Sequence, residues 1–270
     1  MNPIRKTIIA GGSTLSYLVF GQGPTVMLIH GFAEDHTIWE DQIHALSEHY
    51  CCIVPDLFGS GHSENLDESL VRSLDDIAFC LKEILIAEKK EKIHLFGHSM
   101  GGYITLAFAE HFPAFLESFG LIHSTTYADN DEKKTMRSKI IQYWKAHGSQ
   151  ETQKNSVPGL FAEKNRMMPR VAKQIKIAER IATGNMIAYY RFIMERLDRT
   201  HVLMQTELPV LIVAGKWDPA VPYMHSIEQI KHPSNGEIHL LEHSGHMGMI
   251  EETDKINQIL RNFLTRISKR

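Results

Sequence analysis

Ile93-His94-Leu95-Phe96-Gly97-His98-Ser99-Met100-Gly101-Gly102 is the stretch whose reading decides the fold. Ile93–Phe96 is an apolar run of strand type, and a helical pattern runs from Met100 through Ala107 to Glu110. Between them stands the pattern G-x-S-x-G. Small residues at 97 and 101 let strand and helix crowd together, so that Ser99 projects from a strained turn at the edge of a sheet. The helix N-terminus behind it offers backbone N–H groups and a positive dipole end where a negative oxygen would form. The bare five-residue pattern arises by chance in roughly one in ten chains of this length. Its place between a strand and a helix is what makes it specific.

Outward from this turn, short β-rich runs alternate with longer helical patterns, which predicts a mostly parallel sheet with crossover helices. The runs are Lys6–Ala10, Thr14–Phe20, Val26–His30, Cys51–Pro55, Ile93–Gly97, Phe119–Ile122, Val210–Gly215 and Glu237–Leu241. Gly11-Gly12 between the first two signals a hairpin, so the sheet is expected to begin antiparallel. Helices are expected near Thr37–Ser47, Leu70–Ala87, Met100–Glu110, Tyr223–Ile230 and Glu252–Ile267. From Ser124 to His201 the rhythm breaks. No strand-like run occurs there, and Ile140, Ile141, Trp144, Ile175, Ile177, Ile181 and Ile187 fall at helical spacing between Gly and Pro breaks. Such a segment is too long for a loop and reads as a helical insertion. The expected division is a core of residues 1–123 and 202–270 with an insertion over 124–201.

The 270 residues fit one large α/β domain, and a net charge of −3 offers no basic field for nucleic acid or anionic lipid. No apolar stretch approaches membrane-span length. Residues 1–12 lack the apolar core of a secretory signal, and Cys51, Cys52 and Cys80 show no disulfide or CxxC spacing. They are expected to be buried thiols of a reducing compartment, which makes the cytoplasm the expected location. No metal motif and no G-x-G-x-x-G fingerprint is present, so neither metal nor cofactor is expected. Oligomeric state is not legible.

Two further strand ends carry titratable groups. Asp218 follows the apolar strand Leu211–Ala214, and His246 follows Ile238–Leu241 after a short loop with Gly245 beside it. Parallel α/β folds place their sites at this sheet edge. Asp56 also follows a strand but leads a Gly-rich turn and is expected to cap local backbone. His123, Ser124 and Thr125, after the preceding strand, offer no carboxylate before Asp129.

Together these residues resemble the α/β-hydrolase superfamily, over nearly the whole length. His30-Gly31-Phe32 with Trp39, and Pro55-Asp56-Leu57-Phe58-Gly59-Ser60-Gly61-His62-Ser63, are similar to its HG-x and D-x-x-G-x-G-x-S blocks. Gly97–Gly102 resembles its nucleophile elbow, Leu208–Pro222 the strand and loop that present the acid, and Gly245-His246 the loop of the catalytic histidine. The resemblance implies an α/β-hydrolase fold with an eight-stranded sheet and a helical cap. It also implies Ser99 as nucleophile, His246 as base and Asp218 as the acid, in the order Ser, Asp, His. Backbone N–H groups of Phe32 and Met100 would form the oxyanion hole, His30 would be scaffolding, and Phe32 and Trp217 would floor the substrate pocket.

A serine at the elbow, where relatives that cleave epoxides or carbon–halogen bonds use a carboxylate, points to acyl transfer to water. The expected activity is a carboxylesterase acting on a small-molecule ester with a small or medium acyl group. Arg196-Leu197-Asp198-Arg199-Thr200 is similar to a stretch in bacterial esterases and enol-lactonases, so lactone hydrolysis is the near alternative. Carbon–carbon bond hydrolysis, thioester hydrolysis and perhydrolysis with a similar triad, a ligand receptor that retains the triad, and a catalytically silent scaffold are further alternatives.

Overall fold

A computed structural model describes residues 3–269. Eight strands form one sheet: β1 (Ile4–Ala10), β2 (Ser13–Phe20), β3 (Thr25–Ile29), β4 (Cys51–Pro55), β5 (Ile93–His98), β6 (Leu116–Ile122), β7 (Val210–Gly215) and β8 (Gly236–Leu241). Their order is β1-β2-β4-β3-β5-β6-β7-β8. β2 pairs antiparallel with both β1 and β4, and every other pairing is parallel. The antiparallel start and the parallel remainder both follow the sequence expectation.

The helices are α1 (Glu40–Leu46), α2 (Leu74–Ala87), α3 (Met100–His111), α4 (Asp131–His147), α5 (Gln150–Ser156), α6 (Pro169–Arg180), α7 (Thr183–Glu195), α8 (Thr200–Gln205), α9 (Tyr223–Gln229), α10 (Gly248–Glu251) and α11 (Thr253–Ser268). β3 shows why helices cover both faces. Successive side chains of a strand point to opposite sides. Met27 and Ile29 join a core with α2 and α3, while Val26 and Leu28 join one with α1 and α11. A strand buried on both faces has no polar alternation, which is why Val26–Ile29 reads as a continuous apolar run.

Two boundaries depart from the sequence reading. The expected helix Leu70–Ala87 begins at Leu74, because Ser73 is extended and its hydroxyl accepts from the Asp76 N–H. That cap satisfies an orphan donor, and Asp75 and Asp76 favour the positive end of the helix. The expected helix Thr37–Ser47 starts as a 3₁₀ turn (His36–Trp39), capped by Asp35, before α1. Cys51, Cys52 and Cys80 are free and buried. No helix among the described residues is long and apolar enough to cross a membrane.

Between β6 and β7 lie α4 to α8, with two 3₁₀ turns between α5 and α6 and no strand. Arg196 and Arg199 explain the RLDRT stretch. Arg196 pairs with Asp129 at 2.9 Å and donates to the Tyr127 carbonyl, and its guanidinium lies 4.1 Å from the Tyr103 ring centroid. Arg199 donates to Glu110 and Asp75, and its own N–H donates to the Thr126 carbonyl. A buried guanidinium needs such partners, so both arginines fasten the helical segment to the core.

Removing the α2 cap tests this account of its boundary. Ser73→Ala is expected to lower stability by about 1 kcal/mol, read as a reduced urea midpoint at unchanged slope. No change would mean that water serves the Asp76 N–H equally well.

Candidate active site

The turn after β5 is where backbone geometry is most constrained. Ser99 has φ +50° and ψ −114°, a conformation that residues other than glycine seldom adopt. Its N–H donates to the Ile122 carbonyl, and its own carbonyl accepts from Gly102 N–H and Ser124 Oγ. The glycines are required by contact. A Cβ on Gly97 would lie 2.1 Å from the Gly101 carbonyl oxygen, and one on Gly101 would lie 2.5 Å from that of Ile29. The start of α3 therefore rests directly on the end of β3. Phe32 follows β3 by three residues and Met100 is the first residue of α3.

Asp218 is buried after β7. Its Oδ1 accepts from the N–H groups of Ala220 and Val221, both at 2.8 Å. Its Oδ2 accepts from His246 Nδ1 at 2.7 Å and from His123 Nδ1 at 3.3 Å. Burial pushes the carboxyl up, but the His246 charge and the hydrogen bonds from both rings outweigh it and hold Asp218 well below the usual carboxylate range. For His246, burial pushes the ring down while the Asp218 carboxylate raises it further, leaving it above its ordinary value. Nδ1 is thereby committed to Asp218, and Nε2 is the nitrogen left to take a proton.

The loop that carries His246 is braced from several sides. Its N–H donates to the Leu160 carbonyl at 2.7 Å. The Glu251 carboxylate accepts from Gly245 N–H, Met247 N–H and, across to the helical segment, Ala162 N–H.

Ser99 and His246 are linked through the residue between Gly97 and Ser99. His98 Nδ1 donates to Glu34 at 2.9 Å and Nε2 donates to the His246 carbonyl at 2.9 Å. Both ring nitrogens face oxygen acceptors. Glu34 also accepts from Gly31 N–H at 2.6 Å. Burial pushes Glu34 up, yet the His98 ring and the Gly31 N–H hold it below its ordinary value. Among the described residues, no hydrogen bond joins Ser99 Oγ to the His246 ring.

His30 is scaffolding as expected: Nδ1 donates to the Gly31 carbonyl and Nε2 accepts from Leu57 N–H. Asp56 accepts from the N–H groups of His36 and His62, the local capping expected of it. Trp217 corrects an expectation. Its ring is 61% exposed and its Nε1 donates to the Glu242 carbonyl. It lines an open groove with Gly159, Phe161, Ala162 and His243, not the cavity that Phe32 lines. Residues next to Asp218 in sequence turn outward because the carboxylate itself turns in.

Sequence reasoning missed Glu34, His98, His123 and Glu251. His123 is fully buried at φ +50°, and burial lowers it to about 4 despite the Asp218 bond, so the ring is neutral at pH 7. Its position at the end of β6, on the same sheet edge, was the available signal. His123, Asp218 and His246 bring three ligand-type atoms within 4.8 Å of one another, and the N···O contacts there are those of a proton network.

The family model described as "alpha/beta hydrolase fold" matches residues 24–145. The "Putative carbamate hydrolase RutD" of Pantoea ananatis is 26% identical over 257 residues, covering 93% of each chain. A thermophilic esterase of Thermogutta terrifontis is 26% identical, with a TM-score of 0.87 over 99% of each chain. The enol-lactonase of Burkholderia xenovorans LB400, at 20% identity, shares the fold with a TM-score of 0.88 over 96% of this chain and all of its own.

The buried Glu34–His98 contact carries a stability prediction. Glu34→Ala leaves His98 and Gly31 N–H without their acceptor and is expected to cost about 3 kcal/mol, as breaking a buried pair does. A denaturant titration showing less than about 1 kcal/mol would mean that water replaces the carboxylate.

Proposed function

On the premise that the chain belongs to the α/β-hydrolase superfamily and is a hydrolase, we propose that it cleaves carboxylic esters through an acyl-enzyme on Ser99. The observation that carries this reading is the buried 2.7 Å bond from His246 Nδ1 to Asp218, with the His246 loop tied through His98 to the Ser99 turn. Ser99 Oγ attacks the acyl carbon as His246 Nε2 takes its proton. Asp218 keeps Nδ1–H in place and stabilises the imidazolium. The N–H groups of Phe32 and Met100 receive the oxyanion, each contributing about 3 kcal/mol in the transition state. The alcohol leaves with the proton from His246, and water then releases the acid by the same steps. Segment 124–201 roofs the site and sets substrate size. The esterase of known structure, alike over its full length, supports this reading. A cavity of about 140 Å³ behind Phe32 and Met247 favours a small acyl group over a medium one.

The direct test is hydrolysis of p-nitrophenyl esters of increasing acyl length by wild type and Ser99→Ala. Turnover is expected to peak at short acyl chains and to fall by at least about 10⁴-fold in the variant; equal rates in both proteins would remove Ser99 from the mechanism.

The pH dependence follows from His246. It acts only when neutral, and its proton affinity is raised above the ordinary 6.5, so kcat/KM should fall on acidification with a midpoint above 6.5. Asp218→Asn should lower that midpoint and slow turnover on the order of 10⁴-fold while the fold persists. An acid limb that stays put in the variant would assign the acid elsewhere.

A further inference from the structure

His123 has no task in the mechanism proposed above, yet the fold is shaped to hold it. It follows β6 at φ +50°, where few side chains are found, and it is fully buried. A Cβ on Gly248 would lie 2.3 Å from its Nε2, so the first residue of α10 has to be glycine for the ring to fit. The His123 N–H donates to the Val213 carbonyl at 2.8 Å, and the hydroxyl of the next residue, Ser124, donates to the Ser99 carbonyl. The chain after β6 thus reaches the acid with one side chain and the elbow with the next.

The ring has a single polar partner. Nδ1 lies 3.3 Å from Asp218 Oδ2, and Nε2 meets no hydrogen-bonding group among the described residues. An ionised carboxylate only accepts, so the neutral ring carries its proton on Nδ1 and donates it to Oδ2. An apolar side chain would fill the same space without burying a second ring nitrogen. What the imidazole supplies, and a leucine would not, is a donor aimed at the atom that holds His246.

That donor has an electrostatic consequence. Oδ2 is shared between His246 at 2.7 Å and His123 at 3.3 Å. Negative charge engaged by the His123 N–H is engaged less by the imidazolium of His246. The other groups around the pair are Glu34 and Glu251, which with Asp218 favour a protonated His246, and the His98 ring, with its centroid 4.9 Å from that of His246. Further out, Lys133 of α4 feels the Asp218 charge. We propose that His123 is a positioning residue for the reaction: it divides Asp218 Oδ2 between two imidazoles and so loosens the hold of His246 on its proton, which extends the working range of the base toward acid. The proposal deepens the ester-hydrolase reading and rests on it for the roles of Asp218 and His246.

Two variants of similar size supply the test. His123→Leu removes the donor, whereas His123→Asn puts an amide N–H where Nδ1 stands and tolerates a positive φ. The profile of kcat/KM against pH is measured for both and for wild type with p-nitrophenyl acetate. The midpoint of the acid limb is expected to rise by about half a pH unit or more in His123→Leu, about threefold in proton affinity, and to stay within about 0.2 of wild type in His123→Asn. A packing defect scales the whole profile and leaves its midpoint in place. A midpoint unmoved in His123→Leu, or moved equally in both variants, would overturn the proposal. Should His123→Leu fail to fold, His123→Met supplies the donor-free side chain. If no ester is turned over, the hydrolase reading fails, and the proton affinity of His246 is read directly. Nitrogen NMR titration of histidine-labelled chains does this, with the His246 signal assigned by its loss in His246→Gln. The same rise in His123→Leu but not in His123→Asn would support the division of Oδ2, and its absence would overturn it.

Discussion

The His98 ring, held between the Glu34 carboxylate and the His246 carbonyl, fixes the relative positions of three loops that leave different strands. The loop after β3 meets it through Glu34, the turn after β5 contains it, and the loop after β8 closes on it through a backbone carbonyl. Each loop alone is a short irregular segment with several conformations open to it. Hydrogen bonds at both nitrogens of one buried ring select a single arrangement, since any shift leaves a donor or the carboxylate unpaired away from water. The sheet supplies the edge, and this imidazole sets the spacing along it.

Asp218 shows the same logic on the acidic side. One oxygen is saturated by backbone N–H groups and the other by two imidazoles. A carboxylate so surrounded has little freedom to rotate and little tendency to take a proton. The two rings differ in consequence: burial leaves His123 neutral, while His246 is drawn toward the charged form by the same oxygen. Geometry separates them too, since His246 has the 2.7 Å contact and His123 the 3.3 Å one.

Strands and helices were legible because their signals are local. VMLIH, VLIVAG and the turn around Ser99 each declare themselves within a dozen residues, and the parallel order follows from alternation with helices. Boundaries slipped where a single side chain decides them, as at Ser73. The triad candidates could be placed because they end strands that share one edge. Their neighbours could not. Glu34 and His98 are 64 positions apart, His123 and Asp218 are 95 apart, and His98 and His246 are 148 apart. No periodicity links such pairs, and a histidine or glutamate beside a glycine looks alike whether it faces water or a buried partner. Trp217 failed for a related reason: adjacency in sequence to Asp218 says nothing about which way the ring turns.

The helical segment enters and leaves the core at one point. Arg199 N–H donates to the Thr126 carbonyl, and the hydroxyls of Thr126 and Thr200 lie 2.9 Å apart. The core therefore meets the segment as a ring already closed at its base, and Phe32 packs on Tyr190 of α7, which packs in turn on Trp144 of α4. A lineage can rewrite, lengthen or exchange much of the interior of such a ring without disturbing the sheet, provided that the staple, the packing on Phe32 and the Leu160 and Ala162 contacts that brace the His246 loop survive. Architecture of this kind separates the part of a protein that inherits its chemistry from the part free to change what it recognises.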